Sequence, residues 1–460
     1  MRQPTWATLA ALALVWGAAV RAASLQGFDA RWRQLRSELK SDDLYRVLWD
    51  LPKGGDLHNH HEYSIPMTFW IERALQRPYW IRFRLSPCGE AESFQWQTLR
   101  RESLDKLPAC AQGDFKPVAS LSEAERREWL AAITLDPSEG KDEFFDRAVR
   151  RLADLEREPE LIADALVVAQ QQMQAENAVY LETQADPRSF IGMSEDEGAA
   201  VLRRRLAQPD SLKTGVAVRM QVSTVRFLPG AEDDLADGFA FVHRNRDLWV
   251  GTNLVGREDD ERGRPARFVK RMADLRRKYP DVLLSLHAGE SSTRDTNIRE
   301  SIALGATRIG HGTNAYLDPE TMALLRRGPY LVEVSLLSNQ SLGYVPDLRT
   351  HPFPKYLRQG IPVCLNTDDR GIMDSNLTDE YFAAVALFDL SWAELKQIGR
   401  WSLEFSFAEP ALKKELLARF EKNVAAFERK YSAADWQQRL AQVEPHRSGS
   451  TARILKLRGK

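Results

Sequence analysis

The chain has 460 residues, of which 43% are hydrophobic and 28% are charged, and its formal net charge is −1. This composition is typical of a globular protein with a large core. A net charge so close to zero gives no electrostatic reason to bind nucleic acid or an anionic membrane, so we expect no nucleic-acid partner. The length allows several domains or one large barrel.

The N-terminus resembles an export signal. Arg2 precedes a mostly apolar run from Trp6 to Val20, and small residues follow at positions 22–23. This pattern is typical of a secretory signal peptide and is too short for a membrane-spanning helix. We therefore expect residues 1–22 to be removed and the mature protein to be periplasmic or secreted, without membrane attachment. An uncleaved N-terminal anchor is the alternative.

Two regions precede the regular part of the chain. Residues 28–51 carry apolar side chains at helical spacing, which predicts one or two helices over 23–51. Residues of about 79–140 contain several prolines and no clear strand, which indicates an inserted subdomain. Of the three cysteines, Cys364 lies in an apolar run and should be a buried free thiol. We predict that Cys88 and Cys110 form a disulfide within the insert.

The rest of the chain alternates between strand and helix patterns. One strand-like run ends at His60, and seven others lie at residues 178–183, 216–225, 248–254, 282–287, 307–311, 330–335 and 361–367. Eight strands alternating with helices predict an α/β fold, a closed (β/α)8 barrel of the triosephosphate-isomerase type over residues 52–435. In such barrels the active groups gather at the C-terminal ends of the strands.

Helices over residues 392–431 should complete the barrel or cover its base. The last fifteen residues contain five Lys or Arg and no acid, so we expect residues 436–460 to end in a basic, flexible, solvated tail.

Potential metal ligands follow three of the predicted strands. His58 and His60 are two residues apart and can reach one ion from the same face of a strand, and His287 and Asp368 each end another apolar run. Three imidazoles and one carboxylate suit zinc better than iron, cobalt or manganese. Taken alone, His58 and His60 could also be a surface pair.

Four motifs in order carry a family resemblance. They are Pro52-Lys-Gly-Gly-Asp-Leu-His58-Asn-His60, His287-Ala-Gly-Glu290, Arg308-Ile-Gly-His311-Gly and Asn366-Thr-Asp368-Asp369. With them the chain resembles the adenosine deaminases of the amidohydrolase superfamily over roughly residues 50–430. It looks most similar to their secreted branch, the adenosine deaminase-related growth factors. The signal, the two-cysteine insert and a run over residues 333–340 followed by His351-Pro352 support that branch.

The resemblance implies one Zn2+ per chain and a role for each motif residue. Metal ligands would be His58, His60, His287 and Asp368. Glu290 would protonate the purine ring, His311 would orient and help deprotonate the metal-bound water, and Asp369 would contact the purine. Gly256 would offer a backbone amide to the base. Glu62 stands where cytoplasmic relatives carry a ribose-binding Asp, and Ser335-Leu336 replaces their Cys-Pro, so both the sugar site and that loop depart from the pattern.

The expected reaction is zinc-dependent hydrolysis of adenosine or 2'-deoxyadenosine to inosine or 2'-deoxyinosine and ammonia. Alternatives are an amidohydrolase for another purine or related heterocycle, and a secreted binding protein that keeps a residual barrel. Structural roles are also open for three residues: Asp369 could orient a ligand, His311 could be a buried structural histidine, and Glu290 could cap a helix. The resemblance also suggests a homodimer.

Overall fold

A computed structural model describes residues 27–88 and 94–458 of the chain. The predicted signal at residues 1–22 lies outside this described part. Within it, no helix is both long and apolar enough to cross a lipid bilayer.

The centre of the fold is an eight-stranded parallel barrel. In chain order the strands of the described residues are β1 Gly54–Asp56, β2 Tyr79–Arg82, β3 Thr98–Arg100, β4 Phe115–Pro117, β5 Ala178–Gln184, β6 Ala217–Val225, β7 Trp249–Val255, β8 Leu283–Ala288, β9 Arg308–His311, β10 Leu331–Val334 and β11 Val363–Leu365. The barrel strands follow the order β1-β5-β6-β7-β8-β9-β10-β11, with each neighbouring pair parallel. All eight predicted strands are confirmed, and so is the α/β barrel.

Barrel strands form where the chain has apolar runs because both of their faces are covered. Every residue of β5 and of β7 is buried, with side chains directed alternately into the barrel and under the surrounding helices. The seam between β1 and β11 lacks a regular ladder. There, the Asp368 amide donates to the His58 carbonyl over 2.9 Å, and the Leu57 amide donates to Asn366 Oδ1 over 2.9 Å. The barrel therefore closes at the residues of the first and last motifs.

Helices surround the barrel and cover its ends. The helices are α1 27–38, α2 Ser41–Asp50, α3 Met67–Leu75, α4 Arg101–Leu104, α5 Ala109–Gln112, α6 Glu123–Ala132, α7 Gly140–Asp146, α8 Pro159–Ala175, α9 Glu195–Leu206, α10 Pro209–Thr214, α11 Ala231–Arg244, α12 Val269–Lys278, α13 Asn297–Leu304, α14 Pro319–Arg327, α15 Leu336–Ser341, α16 Phe353–Arg358, α17 Leu377–Phe388, α18 Trp392–Glu404, α19 Pro410–Ser432, α20 Trp436–Ala441 and α21 Thr451–Ile454. The N-terminal region forms two helices, α1 and α2, as predicted, and α18 packs against both β1 and β11 at the seam.

The insert contains a small sheet that the sequence did not indicate. Strands β2, β3 and β4 form an antiparallel sheet in the order β3-β2-β4, over a small core of Leu99, Leu104 and Phe115. Each strand has only three or four residues, too few for a recognisable alternation of apolar and polar side chains. The predicted disulfide between Cys88 and Cys110 is present, with Cα atoms 6.0 Å apart, and Cys364 is free and buried.

The C-terminal segment differs from the flexible tail that we predicted. Thr451 and Ile454 are buried, and Ser448 Oγ and Thr451 Oγ1 both donate to the carboxylate of Asp379 in α17. Two of its basic side chains also hold it to the protein: Arg453 donates to Gln340 Oε1 over 2.7 Å, and Arg458 donates to the Leu39 carbonyl. Charge alone therefore misrepresented the segment up to Arg458.

Candidate active site

The motif residues meet at the C-terminal ends of the barrel strands. His58 and His60 follow β1, His287 lies in β8, and Asp368 follows β11. The distance from Asp368 Oδ1 is 3.5 Å to His58 Nε2 and 3.4 Å to His60 Nε2. The ring of His287 lies 4.4 Å from that of His58 and 5.3 Å from that of His60, measured between centroids. All four predicted ligands are thus brought together, and His311 joins the same group.

The donor atoms of this group fit a divalent metal ion. His58 Nε2 and Asp368 Oδ1 are buried and have no hydrogen-bond partner among the described residues. Buried polar atoms are rarely left unpaired unless a ligand or ion satisfies them. Imidazole nitrogens with a carboxylate oxygen are a donor set that zinc accepts.

Two of these residues have a strained backbone. His311 has φ of 63° and Asp368 has φ of 53°, both in the left-handed region that side chains other than glycine seldom adopt. Such conformations cost about 1–3 kcal/mol and are retained at functional sites. Gly310 precedes His311, and a Cβ there would lie 2.7 Å from His58 Cε1, so the His58 ring packs directly on this glycine.

Outer hydrogen bonds fix the rings of two predicted ligands. His58 Nδ1 lies 2.7 Å from Glu333 Oε2, and Arg308 holds the other oxygen of that carboxylate. His287 Nδ1 lies 2.9 Å from Asn253 Oδ1. Because both partners are oxygen acceptors, each Nδ1 carries the proton and each Nε2 keeps a lone pair for a metal.

The charges of the site shift the pKa of its groups. Burial alone would lower the pKa of His58, but the nearby carboxylates of Asp368 and Glu333 outweigh it and raise the pKa to about 10. Burial would raise the pKa of Asp368, yet the proximity of His58 and the neighbouring histidines holds it well below its usual range. Burial lowers the pKa of the other histidines, to about 4 for His60, to about 3 for His311 and further for His287. Metal binding would displace the proton of His58, since a ligating imidazole must be neutral.

Glu290 is a buried carboxyl group that keeps its proton. Burial, then the charges of Asp368 and Glu258, raise its pKa well above the usual value. Its Oε1 has no hydrogen-bond partner among the described side chains. The carboxylate of Glu258 accepts hydrogen bonds from the Gly289 and Glu290 amides over 2.8 and 3.0 Å, which holds this turn in place. A protonated acid therefore stands beside the candidate metal ligands.

A cavity of about 470 Å³ opens onto these groups. Glu290, Asp369, His311 and Gly256 all line it, together with the candidate ligands His60, His287 and Asp368. Further apolar side chains line it as well: Phe144, Phe145, Val149, Val225, Phe227, Leu228, Val255 and Leu342. Glu62, predicted to bind the sugar, is not among the lining residues. Burial and the charges of Glu156 and Asp186 raise its pKa to about 8.

The family model for adenosine deaminase matches residues 133–423. The chain belongs to the adenosine deaminase family. It is 36% identical to an adenosine deaminase of Enterococcus faecalis over 167 residues, which are 36% of this chain and 48% of that protein. It is 35% identical to one from Vibrio cholerae over 171 residues, which are 37% of this chain and 50% of that protein. The chain spans about half the length of these curated relatives.

Solved structures of related enzymes share the fold. An adenine deaminase from Arthrobacter aurescens aligns with a TM-score of 0.61 at 19% identity, covering 81% of this chain and 99% of that one. An N6-mAMP deaminase from Arabidopsis aligns at 0.60 and 21% identity, covering 82% and 99%. A zinc-bound amidohydrolase from Burkholderia ambifaria aligns at 0.63 and 17% identity, covering 85% and 95%. The family model and the curated relatives confirm the resemblance to adenosine deaminases, whereas the growth-factor branch stays a prediction.

Sequence reasoning missed several residues of this adenosine deaminase-family site. Glu258, Glu333, Asn253 and Asn339 each hold a motif residue from another strand end. Their positions just past or within the strands β7 and β10 were the available signal. The sequence could not show which residues they contact, because these contacts join parts of the chain that are far apart in sequence.

Proposed function

We propose that this protein is an exported, zinc-dependent deaminase that hydrolyses adenosine or 2'-deoxyadenosine to the inosine product and ammonia. The observation that carries the proposal is the buried Glu290 carboxyl, whose Oε1 has no hydrogen-bond partner among the described residues, in one cavity with Asp368, whose Oδ1 is likewise unpaired. Burial favours the protonated form of Glu290, because it raises the pKa well above the usual value. A surface pair of histidines or a helix cap would not combine these features.

Zinc is the metal we propose, held by His58, His60, His287 and Asp368. A bound zinc ion would act as a Lewis acid that makes water a nucleophile near neutral pH. The Burkholderia amidohydrolase with this fold has bound Zn, which supports the choice. Ser338 Oγ donates to Asp368 Oδ2 over 2.6 Å, which leaves Oδ1 directed at the histidines.

Glu290 is proposed as the general acid. Deamination at carbon 6 of an aminopurine requires the ring to accept electrons, and protonation of the adjacent ring nitrogen provides for this. Glu290 carries the proton that this step needs, and the Glu258 carboxylate holds its backbone amide in position. Asp369 lines the same cavity, and burial and the charge of Asp368 raise its pKa well above the usual value, so it can donate a hydrogen bond to the purine.

A second substrate class is favoured by one feature, the apolar part of the cavity lining. Phe144, Phe145, Phe227 and Leu228 belong to it, beside the polar residues Tyr63, Asp146 and Arg150, while Glu62 does not line the cavity. A base without sugar, or a nucleoside with a less polar sugar, would suit such walls better than ribose. Adenine and 2'-deoxyadenosine are therefore the alternatives to adenosine.

One assay distinguishes these substrates. Purified, zinc-loaded protein is incubated with adenosine, 2'-deoxyadenosine and adenine, and the ultraviolet absorbance of each is followed. Loss of the adenosine or deoxyadenosine band supports the proposal, and loss of the adenine band alone supports the alternative. No change with any of the three, in protein that contains one zinc per chain, would contradict deamination of these purines and favour a binding protein.

Export and dimer formation are proposals that rest on separate features. The disulfide supports export, since disulfides persist in oxidising compartments, and N-terminal sequencing of the mature protein would test cleavage near residue 22. A homodimer is proposed from the resemblance to the secreted branch, and light scattering of the purified protein would measure its mass.

A further inference from the structure

A chain of three hydrogen bonds leads from the backbone of α16 to His311. The Phe353 amide donates to His351 Nδ1 over 3.1 Å. His351 Nε2 lies 3.1 Å from Asn339 Oδ1, and Asn339 Nδ2 lies 3.1 Å from His311 Nδ1. All three side chains are buried, with exposed fractions of 2% or less.

The direction of every bond in this chain follows from its first member. A backbone N–H can only donate, so His351 Nδ1 must accept, and a neutral His351 then carries its proton on Nε2. That N–H requires an acceptor, which orients the oxygen of Asn339 toward His351. The amide nitrogen of Asn339 therefore faces His311 and donates to Nδ1. Flipping the amide would set two donors against each other between Asn339 and His351.

His351 must be neutral for this argument, and its surroundings keep it so. Burial lowers the pKa of His351 to about 3. A doubly protonated ring would also lose the lone pair that receives the Phe353 amide.

We propose that His351 and Asn339 are positioning residues that fix neutral His311 as the tautomer with its proton on Nε2. In this tautomer the lone pair of Nδ1 is taken by Asn339, and Nε2 carries hydrogen. His311 then has no lone pair for a metal ion and none to accept a proton from water, although its ring lies among the donors of His58, His287 and Asp368. His58 and His287 have the opposite tautomer, because their Nδ1 atoms donate to Glu333 and Asn253.

His311 is consequently a hydrogen-bond donor rather than a ligand or a base. This departs from the proton-accepting role that the family resemblance implies for His311. A fixed N–H in the cavity would stabilise negative charge on the oxygen that adds to the purine. This catalytic consequence rests on the proposed deaminase function, whereas the tautomer itself does not.

Nitrogen NMR of the zinc-loaded protein labelled with 15N-histidine tests the tautomer directly. Protonated and lone-pair ring nitrogens have well-separated shifts, and the signals of His311 are identified by their absence from the H311A spectrum. We expect the wild-type His311 to carry its proton on Nε2. A proton on Nδ1 of His311 would overturn the proposal, whether or not the protein has activity.

Asn339→Asp reverses the tautomer with almost no change in shape. An aspartate accepts from both neighbours, so His311 should move its proton to Nδ1. We expect the 15N pattern of His311 to invert and kcat to fall by ~10²–10⁴, with KM and zinc content changed little, as for other wrong-tautomer variants. An inverted pattern with unchanged kcat would contradict the donor role of His311.

His351 variants test the rest of the chain. His351→Leu removes the donor that orients Asn339, while His351→Gln can supply an N–H at the place of Nε2. We expect H351L to lower kcat and H351Q to recover most of it, with the exposed His243→Gln as the matched control. Equal loss in H351L and H351Q would mean that His351 acts only through packing. If the wild-type protein deaminates no purine but His311 carries its proton on Nε2, the proposed function is wrong and the proposed tautomer is still supported.

Discussion

Glu290 shows how burial prepares a single carboxyl for acid chemistry. It is enclosed near Asp368 and Glu258, so its protonated form is favoured where an exposed glutamate would be ionised. Substitution Glu290→Gln keeps the size of the side chain but removes the transferable proton. We expect kcat to fall by ~10² or more while the zinc content stays near one per chain. Steady-state kinetics with metal analysis would measure both, and equal activity in the variant would mean that another residue is the acid.

The control for this variant is Glu261→Gln. Glu261 lies three residues after Glu258, but its side chain is 87% exposed. Its ion pair with Arg264, at 3.7 Å, is at the surface and therefore weak. Its removal should leave kcat and zinc content unchanged. A comparable loss in both variants would point to disturbed folding rather than to acid catalysis.

Gly310 supports the metal site through its missing side chain. A methyl group there would meet the His58 ring at 2.7 Å, and Glu333 prevents the ring from moving away freely. We expect Gly310→Ala to weaken zinc binding by about 10- to 100-fold, as loss of a ligand's outer support does. Gly230→Ala is the control, because nothing lies within 4 Å of a Cβ at that position. Competition with a chelator of known affinity measures both, and equal zinc affinities would show that His58 tolerates displacement.

Sequence could predict the residues that end a strand but not the residues that hold them. His58 and His60 were recognisable by their spacing, and His287 and Asp368 were recognisable because each follows an apolar run. Parallel strands bring such ends together. Glu333 was not, since it meets His58 across 275 positions of sequence. Glu62 lies two residues from His60 but does not line the cavity, so its role at the sugar stays a prediction.

At the level of elements, a strand could be predicted if it was long or if a motif lay at its end, as for the short strands β9 and β11. The barrel strands β5, β6 and β7 have seven to nine residues, and their apolar character was clear. Strand β1 has three residues, but the histidine motif that follows it marked its end. Strands β2, β3 and β4 are as short and carry no motif, so the insert looked irregular.

The disulfide should stabilise this insert. It joins Cys88 to Cys110 across 22 positions, and Leu99 and Leu104 of the small insert core lie between the two cysteines in the chain. A disulfide that closes a loop of this size is expected to raise the free energy of unfolding by ~3 kcal/mol, because it restricts the unfolded chain. The double variant Cys88→Ser, Cys110→Ser should therefore unfold at lower urea concentration, and reductant should have no further effect on it. Coincident urea curves for the variant and the wild type would contradict this contribution.

At the scale of the whole molecule, Asp379 joins three parts of the chain. It lies in α17 of the barrel and accepts hydrogen bonds from Tyr45 of α2 and from Ser448 and Thr451 of the C-terminal segment. The helical spacing of the apolar residues in α2 could be predicted, but a shared buried carboxylate could not, because two of its donors are small hydroxyl residues without a motif. The C-terminal segment is thus attached to the barrel through the carboxylate of Asp379.

The same carboxylate makes the attachment depend on pH. Burial raises the pKa of Asp379 to about 6, although the hydrogen bonds from Ser448, Tyr45 and Thr451 act to lower it. Between the ordinary value of 3.8 and about 6, the folded protein binds more protons here than the unfolded chain. The contribution of Asp379 to stability therefore falls as the pH rises through this window.

Removing the hydroxyl donors of Ser448 and Thr451 should lower the free energy of unfolding most at pH values where Asp379 is ionised. For Ser448→Ala with Thr451→Val we expect a loss of ~4 kcal/mol in the free energy of unfolding at about pH 7.5, and ~2 kcal/mol at about pH 5, because hydrogen bonds to charged groups are worth about twice those to neutral ones. Urea unfolding at both pH values measures the difference. In an Asp379→Asn background the charge is absent, so the same double substitution should cost equally at the two pH values. If the double substitution lowers the free energy of unfolding equally at both pH values in the wild-type background too, Asp379 does not hold the C-terminal segment. The buried Ile454 and other packing would then hold it, since packing does not respond to protonation.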